Sequence, residues 1–351
     1  MNVYIFNPEN DLALGIDCLN YTPSPHAAAL HRDGELFPAW WASEEDYIVA
    51  PHADDADRRW LRDNYGLVTA DGFNPDECTP QPWGWSRNAA YLLRHAGVGD
   101  KCLPAEEQLT LYRRLSHRHT ASALLDLIGY SGEMPVVTSD VEDAMAAISR
   151  LGSGFVKSPW SGSGRGVFNS AGLAQAPLRR RIEGIIHRQG NVIIEKPLAK
   201  ILDFAVLYSA GEEGVRFHGL SVFEAEARGM YAGNLAAPQA YLRERITTLA
   251  GDDALDCTVT QVAAGLNELL AGRYYGPLGV DMMVCTADDG TPAIMPCIEI
   301  NLRRTMGFVA MDVAARLGIE EPRRLTWHRG PLPAGAVALL RPGKEFTPVL
   351  L

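Results

Sequence analysis

The sequence lacks a long apolar segment. No uninterrupted apolar run reaches the roughly 18 residues that a membrane-spanning helix needs. The first residues, Met1–Phe6, carry none of the basic charge that begins a secretory signal peptide, and the acidic Glu9 and Asp11 follow soon after. We therefore expect a cytoplasmic protein that has no membrane partner.

Motifs for structural zinc and for dense disulfide bonding are also absent. The nine histidines show no HExxH spacing, and none of the six cysteines belongs to a CxxC pair. No Ser/His/Asp or Cys/His arrangement typical of a nucleophilic hydrolase is visible. A reduced compartment is the natural expectation for such scattered thiols, which are Cys18, Cys78, Cys102, Cys257, Cys285 and Cys297.

Basic residues are in short supply. The 32 Lys and Arg residues stand against 43 Asp and Glu residues, so the formal net charge is −11. This balance argues against nucleic acid as the main partner, because phosphate contacts dominate such binding. It still allows a small anion, such as a nucleotide, to be held locally. The length of 351 residues, with 47% hydrophobic residues, indicates a soluble globular protein of two or three domains.

The first third of the chain alternates strand-like and helix-like segments. This order predicts a Rossmann-like parallel sheet in residues 1–104. Ligands bind beyond the carboxyl ends of the strands in such sheets, so the polar loop 7–11 after the first strand is a candidate binding loop. Strands are predicted at 3–6, 47–50 and 66–69, and helices at 54–64 and 86–95.

The remainder of the chain has a mixed pattern. Residues 105–190 are predicted to form a small α/β subdomain with a Gly-rich loop, and residues 191–328 a second subdomain of mainly antiparallel strands. Residues 329–351, which contain several prolines, are expected to be a C-terminal covering segment. The predicted fold class is therefore α/β plus α+β.

A strand predicted at Gly154–Ser158 carries Lys157 and leads into a loop that is rich in serine and glycine and extends to Gly166. Glycines allow backbone N–H groups to converge on an anion, and a lysine adds a positive charge on a flexible stem that suits phosphate. The pattern therefore indicates phosphate binding. A hairpin tip whose glycines serve only the turn would show the same pattern.

Two apolar strands near the C-terminus carry an acidic pair. A hairpin centred at Gly290 places Asp281 opposite Glu299, and strand alternation puts Asn301 on the same face as Glu299. Two carboxylates at such a short separation repel each other unless a proton or a cation lies between them. Oxygen ligands of this kind suit Mg²⁺. An exposed acidic strand face is the alternative interpretation.

The order of these features resembles the ATP-grasp superfamily of ATP-dependent carboxylate–amine ligases. The shared features are a lysine with a Gly-rich loop, Glu195-Lys196-x-Leu198 after a strand, an acidic residue, and Glu-x-Asn-x-Arg at 299–303. The resemblance extends over about residues 105–318. It implies two α+β subdomains that hold ATP under a Gly-rich flap, here preceded by a Rossmann-like domain of the pre-ATP-grasp kind.

The resemblance also implies roles for individual residues. Lys157 would bind phosphate and Arg303 would contact the γ-phosphate or an acyl-phosphate, which makes these two the catalytic candidates. Mg²⁺, or Mn²⁺ in its place, would be held by Asp281, Glu299 and Asn301. The other nucleotide-binding candidates are the flap residues Ser161, Gly162, Ser163 and Gly164, the adenine-hinge residues Glu195, Lys196 and Leu198, and Asp203.

One position departs from the family pattern. A second ATP-binding lysine usually opens the helix before the first small strand, and here Arg118 best fits that position. Arginine keeps the positive charge but changes the geometry of its donors. His117 is the rival candidate.

Substrate recognition is assigned to the loop after the first strand. Asn7, Asn10 and Asp11 are the candidates, and Arg304 is a further one that would assist Arg303. The loop residues would equally suit an Asx turn and a helix cap. Arg304 would equally suit a simple ion pair with an acid.

Together these features predict an ADP-forming ligase. A small-molecule or peptide carboxylate would attack the γ-phosphate of ATP, and an amine or related nucleophile would then displace phosphate from the acyl-phosphate. The alternatives are a small-molecule kinase built on the same module and a nucleotide-binding protein without catalysis. The sequence identifies neither substrate and does not indicate the oligomeric state.

Overall fold

A computed structural model describes residues 1–162, 164, 166–225 and 231–351 of the chain. These residues divide into two compact units. Unit 1 combines residues 1–113, 233–241 and 303–351, and unit 2 combines residues 114–232 and 242–302. No helix in the described ranges is both long enough and apolar enough to cross a bilayer.

Helices and strands alternate through most of the chain. The helices are α1 (Asn10–Ile16), α2 (Pro25–Asp33), α3 (Asp55–Tyr65), α4 (Arg87–His95), α5 (Glu106–Leu115), α6 (His119–Leu127), α7 (Val141–Leu151), α8 (Gln175–Gln189), α9 (Gln239–Ala250), α10 (Asp252–Leu270) and α11 (Met306–Leu317). The first strands are β1 (Asn2–Ile5), β2 (Tyr47–Ile48), β3 (Thr79–Pro82), β4 (Val136–Thr138), β5 (Phe155–Lys157), β6 (Val167–Asn169) and β7 (Val192–Glu195). The later strands are β8 (Ala199–Gly211), β9 (Gly214–Ala225), β10 (Tyr231–Ala236), β11 (Gly276–Thr286), β12 (Pro292–Asn301), β13 (Arg323–Arg329), β14 (Val337–Ala338) and β15 (Phe346–Leu350).

Unit 1 contains the predicted parallel sheet, with the strand order β2-β1-β3. Its third strand is Thr79–Pro82, so the prediction of a strand at 66–69 is wrong. Gly66 adopts a left-handed conformation with φ +65° and ends α3, and residues 66–69 that follow the helix form no strand. A Pro-rich segment was not an obvious strand, but β3 lies at the edge of the sheet, where prolines are tolerated.

An aromatic cluster supports the end of β1 in unit 1. Phe6 stacks on Trp327 with a ring separation of 5.7 Å and meets Trp83 edge-on at 5.2 Å. Trp40 is fully buried in the same cluster, and its Nε1 donates to the carbonyl oxygen of Leu339 at 2.8 Å. This packing anchors the backbone immediately before the polar loop that follows β1.

The C-terminal residues are part of a sheet in unit 1. β10 pairs with β13, β13 pairs with β15, and β15 pairs with β14, all in antiparallel fashion. The predicted covering segment, residues 329–351, therefore contains two strands, and every residue of β15 is buried. The division of the chain at residues 104, 190 and 328 remains a prediction.

Unit 2 contains two antiparallel groups of strands. The smaller has the order β4-β7-β5-β6, and its apolar side packs against α7 and α8. The larger contains the neighbouring strands β12, β11, β8 and β9. Along the latter strands, Phe204, Val206 and Met282 are at most 1% exposed. Because side chains alternate along a strand, the intervening residues point to the opposite face, which carries the polar candidates.

Candidate active site

The acidic pair lies where the hairpin pattern predicts it. Asp281 is directly opposite Glu299, and Gly279 is opposite Asn301, so these polar side chains share one face. The Asn301 side-chain amide donates to Asp281 Oδ2 at 3.1 Å. Asp203 on β8 joins the same face, because its partner on β11 is Met283, two residues beyond Asp281. The predicted pairing of Asp281 with Glu299 is therefore confirmed, but the predicted centre of the hairpin at Gly290 is wrong. The strands near the turn pair Met283 with Met295 and are centred on Asp289, and a bulge between Asp281 and Met283 brings Asp281 opposite Glu299.

Arg118 bridges this acidic face and the Gly-rich loop. Its Nη1 donates to Glu299 Oε2 at 2.7 Å, and its Nε donates to the Ser158 carbonyl oxygen at 3.0 Å. Its Nη2 donates to the Ser161 hydroxyl at 3.0 Å and is 3.4 Å from the Ser161 carbonyl oxygen. The side chain is 6% exposed. The guanidinium fork thus contacts three separate residues, which the single ammonium of a lysine cannot do in the same geometry.

His117, the rival candidate, has a different environment. Its ring lies edge-on to Trp160 at 4.7 Å, and its Nε2 is 3.2 Å from the Asn191 side-chain oxygen. The structure therefore brings Arg118 into contact with Glu299, whereas His117 contacts Trp160 and Asn191.

Lys157 forms an ion pair with Glu195 across the smaller sheet of unit 2. β5 and β7 are paired with Phe155 opposite Glu195 and Lys157 opposite Ile193, so Lys157 and Glu195 are diagonal neighbours on one face. The Lys157 side chain is 7% exposed and that of Glu195 is 18% exposed. The predicted phosphate-binding lysine and the predicted hinge carboxylate therefore neutralise each other in this structure.

The Gly-rich loop closes on its own backbone. The Ser158 N–H donates to the Gly166 carbonyl oxygen at 2.9 Å. Gly164 and Gly166 have φ values of +76° and +74°, which residues other than glycine rarely adopt. A Cβ atom on Gly166 would also lie 2.9 Å from the Ser158 hydroxyl oxygen. These glycines therefore serve the turn, as the alternative interpretation requires, and phosphate binding by Gly162 and Gly164 stays a prediction.

Ser163 and Arg165 lie outside the described residues. Ser161, the other flap candidate, is buried and is held by Arg118.

The loop after β1 in unit 1 is tightly packed. The Asn7 side-chain amide donates to the Gly84 carbonyl oxygen at 2.9 Å and is 3.4 Å from the Asn10 side-chain oxygen. The Asn10 N–H donates to the Asn7 carbonyl oxygen at 3.1 Å, and Asn10 is the first residue of α1. A Cβ atom on Gly84 would collide with the Asn10 side-chain amide. These contacts give Asn7 and Asn10 a clear structural role in a turn and a helix start.

Glu9 is a functional candidate that the site prediction left out. Its carboxylate Oε1 is 2.8 Å from His31 Nδ1, and its side chain is 3% exposed. Burial lowers the pKa of His31, but the hydrogen bond and the charge of Glu9 together with the charge of Glu35 outweigh burial, so the pKa is raised. Glu9 Oε2 and Asn7 Oδ1 are buried without a hydrogen-bond partner among the described residues. Glu9 could have been identified from the sequence, because it lies in the same polar loop as Asn7, Asn10 and Asp11.

Asp11 and Arg303 come together in unit 1. Arg303 Nε is 2.9 Å from Asp11 Oδ2, and Arg303 Nη2 is 2.8 Å from the same oxygen. The backbone positions this pair, because Gly84 and Arg303 form an antiparallel bridge and the Arg304 N–H donates to the Trp83 carbonyl oxygen at 2.9 Å. A predicted substrate residue thus holds a predicted catalytic arginine.

The side chain of Arg304 contacts an acidic and an aromatic residue of unit 1. It forms an ion pair with Asp312 on α11, and its guanidinium carbon lies 4.3 Å from the ring centre of Trp41. Burial lowers its pKa, and the carboxylate of Asp312 counteracts that effect. These contacts fit the alternative in which Arg304 pairs with an acid.

Comparison with known proteins assigns the fold. No protein-family model matches the sequence, and no curated protein is detectably similar to it. N5-carboxyaminoimidazole ribonucleotide synthetase from Thermus thermophilus is 14% identical, and its structure aligns with 100% of this chain and 93% of its own at a TM-score of 0.50. The chain has the ATP-grasp fold.

Two further solved structures align with lower scores. N5-carboxyaminoimidazole synthetase from Staphylococcus aureus, complexed with ADP, is 14% identical, with a TM-score of 0.49 over 93% of this chain and 82% of that one. D-alanyl-alanine synthetase A from Vibrio cholerae is 12% identical, with a TM-score of 0.47 over 91% of this chain and 94% of that one. The fold assignment rests on the first comparison.

The segment predicted as the adenine hinge of the ATP-grasp fold connects two strands of unit 2. β7 ends at Glu195 and β8 begins at Ala199, which leaves Lys196 and Leu198 in the connection. Lys196 Nζ is 2.9 Å from Asp288 Oδ1, and this hydrogen bond and charge raise the pKa of Lys196. Asp203 accepts from Lys200 at 2.6 Å. Their roles toward a nucleotide remain predictions.

Cys297 lies beside the charged pairs of unit 2, and the sequence analysis did not single it out. Its thiol is 1% exposed on β12, two residues before Glu299. Burial raises its pKa well above the ordinary value, the charges of Asp281 and Glu195 raise it further, and that of Lys157 lowers it. Cys297 therefore lies close to both the acidic pair and the Lys157–Glu195 pair.

The polar face of the hairpin has the donors for a magnesium ion. No group of three or more His, Cys, Asp or Glu side chains suited to a metal occurs in the described part of the chain. The candidate set instead combines two carboxylates with the Asn301 amide, all on one strand face. Oxygen donors of this kind fit Mg²⁺ and do not favour zinc.

Proposed function

We propose that the protein is an ATP- and Mg²⁺-dependent ligase that joins a carboxylate to an amine or related nucleophile and releases ADP and phosphate. The observation that carries this proposal is the set Asp281, Glu299 and Asn301, gathered on one face of a hairpin and bridged to a Gly-rich loop by Arg118. A merely structural hairpin has no need to keep two facing carboxylates beside a buried arginine.

The chain's own residues would position and neutralise the reacting groups. Mg²⁺, held by the Asp281 and Glu299 carboxylates and the Asn301 amide, supplies charge neutralisation for the ATP phosphates when it is bound. Lys157 and Arg118 offer buried positive charge to the phosphates. Arg303, oriented by Asp11, is assigned to the negative charge that develops on the transferred phosphoryl group.

The substrates are proposed to be small molecules or peptides, recognised at the loop after β1. That loop offers buried polar side chains at the carboxyl end of a parallel strand. Asn7 Oδ1 and Glu9 Oε2, both without a partner in the described residues, are acceptors suited to N–H or O–H donors of a ligand.

A screen for ADP release tests the proposal. Amino acids, dipeptides and small carboxylates are supplied in pairs with Mg-ATP, and ADP, AMP and phosphate are measured. We expect equal amounts of ADP and phosphate, with the Glu299→Gln variant as the inactive control. AMP and pyrophosphate would refute the acyl-phosphate route, and phosphate retained on the product would show a kinase. Absence of any turnover despite Mg-ATP binding would favour a non-catalytic protein.

A further inference from the structure

Two cysteines that are 24 positions apart in the sequence meet in unit 1. Cys78 immediately precedes β3, and Cys102 ends the short 3-10 helix Asp100–Cys102. The Cys78 sulfur is 3.7 Å from the Pro75 carbonyl oxygen, and the Cys102 sulfur is 3.6 Å from the same oxygen. The two thiols are therefore neighbours around one acceptor.

The Pro75 carbonyl has more donors than it needs. The Gly99 N–H also donates to it, at 2.8 Å, so a backbone amide and two thiols share an oxygen that has two lone pairs. If both S–H donors were removed, Pro75 would keep its backbone hydrogen bond. Joining the two sulfur atoms therefore leaves no buried acceptor unsatisfied, which is the usual penalty for losing a donor.

The two thiols differ in access to solvent. Cys102 is partly exposed, whereas Cys78 is buried. Burial raises the pKa of the Cys78 thiol, and the neighbouring Cys102 raises it further. An external oxidant consequently reaches Cys102 first, and Cys78 is placed to react with the product.

We propose that Cys78 and Cys102 are an oxidation site, at which a low-molecular-weight disulfide such as oxidised glutathione converts the two thiols into an intramolecular disulfide. The Cys102 thiolate attacks one sulfur of the small disulfide, and one small thiolate leaves. The Cys78 thiolate then attacks the Cys102 sulfur and expels the second small thiolate. Two protein thiols are oxidised, the small disulfide is reduced to two thiols, and the two protons from the protein go to them.

This bond would tether the start of β3 to the helix that ends at Cys102. Two residues after the end of β3 lies Gly84. Its carbonyl oxygen accepts a hydrogen bond from Asn7, and its backbone pairs with that of Arg303. The disulfide would therefore restrain the strand that supports the loop after β1. The inference is independent of the proposed ligase activity, because it concerns only thiol chemistry.

Peptide mapping of the full chain tests the site. The reduced protein is incubated with oxidised glutathione, the remaining thiols are alkylated, and a protease digest is analysed by mass spectrometry. We expect a cross-linked peptide pair that joins Cys78 to Cys102 and is two hydrogen atoms lighter than its parts. Dithiothreitol should reverse it. In the Cys78→Ser variant, Cys102 should instead accumulate bound glutathione, because the resolving thiol is missing.

The matched control is Cys257→Ser, which removes an exposed thiol of α10 and should leave the cross-link unchanged. Oxidised wild type should also melt roughly 5 °C above reduced wild type, since the bond restricts the unfolded chain. Stable glutathione on Cys102 in the wild type, with Cys78 still reduced, would overturn the proposal. So would a cross-link of either residue to Cys18.

Discussion

Replacing Arg118 with glutamine should destabilise the protein far more than replacing Glu299 with glutamine. In Glu299→Gln the side-chain oxygen still accepts from Arg118 Nη1, so only the charge is lost. In Arg118→Gln the bonds to Ser158 and Ser161 are lost as well, and Glu299 faces Asp281 without the cation. The two halves of one ion pair therefore have unequal effects.

The magnitudes follow from these contacts. A hydrogen bond to a charged group contributes about 1.5–3 kcal/mol and a neutral one about 0.5–1.5 kcal/mol, so Glu299→Gln costs about 1 kcal/mol at this bond. Relief of the like-charge contact with Asp281 returns about 0.2–1 kcal/mol. Relief of the repulsion alone would make the Glu299→Gln variant more stable than the wild type. The weaker hydrogen bond to Arg118 offsets that gain. Arg118→Gln breaks a buried pair and should cost about 3–5 kcal/mol.

Urea and thermal unfolding of the single variants, the double variant and Arg118→Lys, without nucleotide or metal, measure these effects. Arg118→Lys is the matched control, because it keeps the charge and loses the fork; it should fall between the wild type and Arg118→Gln. In the double variant the two losses should not add, since both break the same contact. Additivity within about 0.5 kcal/mol would refute the claim that Arg118 and Glu299 are coupled.

Three other predictions concern ligand binding and unit 1. Mg-ATP should raise the melting temperature and ADP should raise it less, because a ligand that binds only the folded state stabilises it; no shift with either at millimolar concentration would contradict nucleotide binding. Gly84→Ala should destabilise the protein by about 1–3 kcal/mol, because the new methyl group meets the Asn10 amide; unchanged denaturation would show that the loop yields freely. Finally, the raised pKa of His31 means that its pairing with Glu9 stabilises the protein fully below the ordinary pKa of 6.5 and is lost as the pH rises through the raised value. His31→Gln should therefore flatten the fall in melting temperature as the pH rises above the ordinary pKa of about 6.5, and an unchanged slope would show that other groups cause it.

The sequence predicted the features that depend on short-range pattern. The hairpin pattern placed Asp281 opposite Glu299 correctly. The strands nevertheless turn about Asp289 and not Gly290, and the pairing depends on a bulge between Asp281 and Met283 that the alternation did not predict. The parallel sheet of unit 1 was also predicted, because strands alternated with helices. The third strand of this sheet was not predicted, because Thr79–Pro82 contains two prolines. A strand tolerates prolines at the edge of a sheet, and the sequence does not show that this segment lies there.

Long-range partners could not be predicted in the same way. Arg118 and Glu299 are 181 positions apart, and nothing in the local pattern of either indicates the other. The pairing of Lys157 with Glu195 requires the register of β5 against β7, which α8 separates in the chain. Residue types thus indicated the chemistry, whereas tertiary contacts determined which charges meet.

The described cations that the sequence assigned to phosphate chemistry share one property: each is bound to an acid. These pairs are Lys157–Glu195, Arg118–Glu299 and Arg303–Asp11. In each pair a carboxylate neutralises a buried or partly buried positive charge, which avoids the cost of an unpaired charge away from water.

A polyphosphate brings its own negative charge and would compete with these carboxylates for the same donors. A divalent cation on Glu299 would remove one competitor and release an Arg118 N–H at the same time. Nucleotide and metal binding are therefore expected to reinforce each other, and by linkage the effect must be equal in both directions.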